Sequence, residues 1–126
     1  MTINNYQELA MRTNDGQCTE RVTNKCVDFL GYPHDATDPG ELLNGALGLT
    51  GEAGEVADLI KKFTFHGHDL DRDELVKELG DVCWYVALLC NAINVPLEEV
   101  MCNNIDKLKR RYPEGFSETA SINRTE

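Results

Sequence analysis

Apolar residues recur along the chain at helical spacing, and no run of four or more residues alternates as a strand would. Residues 4–13 read as a short helix closed by a turn at Asn14-Asp15-Gly16. A second helix is expected from Thr19 to Leu30, with Val22, Cys26, Phe29 and Leu30 as its apolar side and Gly31 as its C′ residue. Tyr32 to Thr37 read as a loop. The best-marked helix start follows: Asp38 as N-cap, Pro39 at N1 and Glu41 at N3 form a capping-box pattern. That helix should reach about Phe65, with Gly45, Gly48, Gly51 and Gly54 along one ridge where another backbone can approach, and a kink near Gly48–Gly51. His66 to Leu70 break the pattern. Asp71 with Glu74 starts a helix running to about Ile93, and Pro96 at N1 starts another that ends at Arg111 or Tyr112. The sequence thus predicts an all-α fold, a bundle of four or five helices in one domain over 1–116, with a polar, loose tail over 117–126.

Two of these helices carry acids where the core should be. Counting roughly 100° per residue, Val56, Leu59 and Phe63 fall within about 40° of Glu52, and Glu55 falls within about 60°. The pattern repeats on the next helix, where Val82, Tyr85 and Leu89 lie within about 40° of Glu78, and Asp81 within about 60°. An amphipathic helix ordinarily turns its charges to water, so stripe-facing carboxylates are costly unless a cation pairs them. A divalent metal is the simplest partner. Solvated surface acids on a rotated helix, or structural ion pairs with basic residues, are the plainer alternatives.

The last long helix places hydrogen-bonding residues in the same way. Asn104, Lys107 and Arg111 share the stripe of Leu97, Val100 and Leu108, and Lys62 lies within about 20° of Glu55 on the first acid helix. Helices joined stripe to stripe would set four carboxylates against these residues across one cleft, an arrangement suited to a polyphosphate with metal.

Composition narrows the function further. A net charge of −10 over 126 residues lacks the basic footprint of a nucleic-acid binder and repels anionic ligands unless metal mediates. No apolar run is long enough to span a membrane, which makes a cytoplasmic protein the expectation. The five cysteines form no CxxC pair; Cys83 and Cys90 read as small core residues. There is no GxxxxGK[ST] phosphate loop. His66 and His68 read as surface residues, and Trp84 as a core or subunit-interface residue.

Gly48 to Val56 (GLTGEAGEV), Lys61-Lys62, Glu78 to Val82 (ELGDV) with Trp84-Tyr85, Asn104 to Leu108 (NIDKL) and Arg111 to Phe116 (RYPEGF) together resemble the MazG-like nucleotide pyrophosphohydrolases of the all-α NTP pyrophosphatase superfamily. The resemblance covers about residues 4–116. It implies Mg2+-dependent hydrolysis (Mn2+ as a substitute) of an NTP or dNTP to the monophosphate and pyrophosphate. It further implies Glu52, Glu55, Glu78 and Asp81 as metal ligands, Glu52 or Glu55 as the group that activates water, and Lys62, Asn104, Lys107 and Arg111 at the substrate phosphates. The short single-domain branch assembles as homodimers or homotetramers, often completing the site from a neighbouring subunit. The alternative reading is a helical oligomerisation or nucleotide- and metal-binding module without turnover.

Overall fold

A computed structural model describes residues 3–31 and 37–123. Among them are six helices and no strand: α1 (Ile3–Met11), α2 (Cys18–Leu30), α3 (Pro39–Phe65), α4 (Arg72–Ala92), α5 (Leu97–Arg111) and α6 (Glu118–Ile122). The fold is all-α, as the periodicity predicts, with one helix more than the expected four or five.

The capping residues fix the central pair. The Asp38 carboxylate accepts from the backbone N–H groups of Gly40 at 2.8 Å and Glu41 at 3.1 Å, satisfying donors that a helix start leaves without partners. Only half of the capping box forms. The Asp38 N–H donates instead to the Ala92 carbonyl at 2.8 Å, and the Glu41 carboxylate accepts from the Asn91 amide at 2.8 Å. Both contacts tie the start of α3 to the end of α4. Asp71 caps α4 through the Glu74 N–H at 2.9 Å.

The two helices form an antiparallel hairpin in which α3 runs unbroken through Gly48–Gly51. Gly45 sits against Leu89, and Gly48 so closely against Tyr85 that a Cβ there would lie 2.1 Å from the ring. Gly51 and Gly54 have no such neighbour. Each three-residue step along a helix falls about 60° short of a full turn, so the glycine ridge rotates away from α4 after two contacts.

Several local expectations are corrected. Gly31 follows α2 with a right-handed φ of −94° rather than as a left-handed cap. Pro96 is the N-cap of α5, one place before the expected N1. Cys90 is buried but Cys83 is exposed, and Trp84 is 57% exposed, which removes it from the core. Ser117 caps the short helix α6 through the Ala120 N–H at 3.3 Å, in a segment whose polar composition predicts only loose chain. The Tyr32–Thr37 loop falls at residues 32–36 outside the described residues, as does the tail at 124–126.

The expected bundle is open. No single described helix is long and apolar enough to cross a membrane, and α5 turns away from α4 by 103° instead of folding back along it. The turn runs through Asn94, whose φ of +54° is left-handed. The buried apolar residues among those described are Cys90 and Ala92. Large side chains such as Leu47, Phe63, Val76 and Ile105 remain exposed.

Candidate metal centre

Because α3 and α4 run antiparallel in the register set by Gly45·Leu89 and Gly48·Tyr85, the next turns bring their acids together. One carboxylate oxygen each from Glu52, Glu78 and Asp81 lies within 4.8 Å of the others, with Glu52 and Glu78 half-buried. These are donors for a hard cation: Mg2+ prefers oxygen ligands and binds through a few carboxylates while keeping several waters. The electrostatics fit as well. Burial pushes the Glu78 carboxyl up, and repulsion from Glu52 and a proton-requiring hydrogen bond with it push further, with Glu74 and Glu55 adding to the effect. A cation would relieve all of these at once.

Glu55 stands just outside the three-oxygen group, near enough to bear on the charge of both Glu78 and Lys62. Lys62, expected at a substrate phosphate, donates instead to Asp58 at 2.7 Å, and Lys61 pairs with the same carboxylate. The two ammonium groups hold the Asp58 carboxyl down at about 2. Sequence reasoning overlooked Asp58, although its spacing of three and four to the two lysines is the ordinary helical ion-pair spacing.

Asn104, Lys107 and Arg111 do not face the acids. With a rise of about 1.5 Å per residue and a 103° turn between helices, they lie roughly 20–25 Å from the Glu78–Asp81 turn, axis to axis. The single cleft expected from the sequence is therefore absent within one chain. His66 and His68 are exposed, and among the described residues neither joins a group able to hold a metal.

The profile of the MazG nucleotide pyrophosphohydrolase domain matches residues 42–116, a stretch that holds Glu52, Glu55, Glu78 and Asp81 as well as Lys62, Asn104, Lys107 and Arg111. The chain is also similar to the Gene 37 protein of Mycobacterium phage L5, 42% identical over 82 residues that cover 62% of this chain and 72% of the phage protein. No solved structure matches it.

Proposed function

The chain belongs to the MazG nucleotide pyrophosphohydrolase family, and on that premise we propose that it hydrolyses a nucleoside triphosphate, NTP or dNTP, to the monophosphate and pyrophosphate with Mg2+, or Mn2+ in its place. The observation that carries this reading is the meeting of Glu52, Glu78 and Asp81 on facing helices within 4.8 Å. These three would hold the cation. When bound, it supplies charge neutralisation at the phosphates and acidifies water. Glu55, beside the group but outside it, is free to accept a proton from water as its oxygen attacks phosphorus and the bond to the departing pyrophosphate breaks.

The side chains that would bind the phosphates are supplied by a second copy. Asn104, Lys107 and Arg111 lie on a helix directed away from the acids of its own chain, where they can reach those of a neighbour. Exposed surface supports assembly: the chain presents 10,379 Å², against about 6,700 Å² for a compact monomer of its mass. The active form is then a homo-oligomer, dimer or tetramer, acting in the cytoplasm.

The test is pyrophosphate release from a panel of NTPs and dNTPs, with and without Mg2+, for the native chain, Asp81→Asn and Glu55→Gln. Metal-dependent release, lost in both variants while their helical content is kept, is expected. Folded, metal-loaded protein that releases nothing from any nucleotide would favour the alternative, a binding module without turnover.

A further inference from the structure

Asp58 sits on α3 between two lysines. Lys62 lies one turn on and about 40° from it around the helix, and Lys61 lies about 60° to the other side. Both ammonium groups pair with it, Lys62 at 2.7 Å and Lys61 through the other carboxylate oxygen. One carboxylate thus holds two cations, which leaves the trio one positive charge in excess. All three side chains are partly exposed, where an ion pair contributes little and is readily exchanged.

We propose that Asp58 is a positioning residue for the nucleotide: it holds Lys62 aside in the absence of substrate and yields it to a phosphate when substrate arrives, with Lys61 staying behind to neutralise the vacated carboxylate. The proposal rests on the pyrophosphohydrolase reading above and adds to it an exchange of partners within α3.

Angle decides which lysine leaves. Lys62 lies within about 20° of Glu55, whereas Lys61 is about 120° away from it. Two turns, about 10 Å along the axis, separate Lys62 from Glu55. Helical side chains lean back toward the N-terminus, so the stem of Lys62 leads over Asp58 toward the acids. Asp58 holds the Lys62 ammonium above its ordinary pKa, and the charge of Glu55 adds to the rise. The backbone need not move. The Lys62 carbonyl accepts from the N–H groups of His66 at 3.1 Å and His68 at 3.3 Å, which pins the last turn of α3 while the side chain swings.

Charge decides the direction of the exchange. A triphosphate carries more negative charge than one carboxylate and draws an ammonium more strongly. With Lys62 as its sole partner, Asp58 would be left bare beside the incoming phosphates and would repel them. Lys61 removes that penalty. The two ammonium groups hold the Asp58 carboxyl at about 2, so cations change places here and protons do not.

Steady-state pyrophosphate release with Mg2+ reads KM and kcat for the native chain, Asp58→Asn, Lys61→Gln and the double variant. Asp58→Asn should lower KM about two- to fivefold with kcat unchanged, the range an exposed ion pair spans. Lys61→Gln should raise KM by a similar factor without touching substrate, and adding Asp58→Asn should reverse the rise. Asp58→Asn placed on Lys62→Gln should leave KM where Lys62→Gln puts it. A KM unmoved or raised in Asp58→Asn, or lowered equally without Lys62, overturns the proposal. Side-chain NMR of the lysine ammonium groups, with inorganic triphosphate and Mg2+ added, reads the exchange without turnover. The Lys62 signal should move and the Lys61 signal should stay. Lys62 unmoved, or both signals moved alike, overturns the exchange as well. A native chain that releases no pyrophosphate while Lys62 still moves overturns the functional reading alone.

Discussion

Gly48→Ala should destabilise the hairpin, whereas Gly51→Ala, one ridge step further along the same helix, should stabilise it. A Cβ at Gly48 would lie 2.1 Å, 2.2 Å and 2.5 Å from three carbons of the Tyr85 ring, where carbon atoms normally rest about 3.5–4.0 Å apart. The ring stands edge-on to Trp84 with centroids 4.9 Å apart and planes at 89°, so swinging it aside gives up that contact. Relief requires the ring to move or the helices to part. Overpacking of this kind costs about 1–3 kcal/mol, offset by up to about 1 kcal/mol from the better helix propensity of alanine. The expected net loss is about 1–2 kcal/mol, or roughly 3–10 °C in Tm for a chain of this length. At Gly51 nothing lies within 4 Å, so only the propensity gain of about 0.5–1 kcal/mol remains. Gly45→Ala should fall between them, since its neighbour is the more adaptable Leu89 at 2.7 Å. Thermal unfolding followed by circular dichroism at one fixed protein concentration reads the order directly. Gly48→Ala as stable as Gly51→Ala would refute the close approach of α3 and α4.

Two further outcomes can be read without substrate. Glu78 should titrate above its ordinary value in the metal-free chain, and Glu52→Gln should bring it back down by removing a repelling charge and offering an amide N–H to the ionised carboxylate. Because the folded value is raised, the native state binds more protons than the unfolded one in that window. The group's contribution to stability is then present at low pH and lost as pH rises through the folded value. Carbon-13 NMR of the side-chain carboxyls checks the shift, and an unmoved Glu78 in Glu52→Gln would contradict their proximity. Asp38→Ala should lower stability by about 1 kcal/mol through loss of the helix cap, seen as a Tm about 3–5 °C lower.

The two helices of the α3–α4 hairpin were legible in the sequence because their starts and faces are set by local features. Asp38-Pro39 and Asp71 with Glu74 mark the starts, and helical spacings of four and three put Glu52 with Gly48 and Glu78 with Asp81 on one face. The sequence points to all four acids as one set, and the structure brings Glu52, Glu78 and Asp81 within 4.8 Å of one another. The course of α5 could not. Its stripe of Asn104, Lys107 and Arg111 is as regular as the others, but its direction depends on the left-handed Asn94 in a short turn. No side-chain periodicity encodes that choice. Lys62 illustrates a second limit: its angle on α3 points toward Glu55, yet Asp58 four residues before it is the nearer partner. α6 was missed because five residues with a single serine cap carry too little pattern to distinguish a helix from loose chain.

The polar ties of the hairpin have a mechanical consequence. Both Asp38 to Ala92 and Asn91 to Glu41 clamp one end, while mutually repelling carboxylates lie further along. The pair is built like tweezers, with a fixed pivot and jaws about 16 Å away at Glu52. Ligand distances for Mg2+ and Ca2+ differ by about 0.4 Å, and a tilt of only about 1–2° at the pivot spans that difference over such an arm. Helix separation therefore does little to reject the larger ion; discrimination falls to coordination number and to the cost of stripping water from each cation.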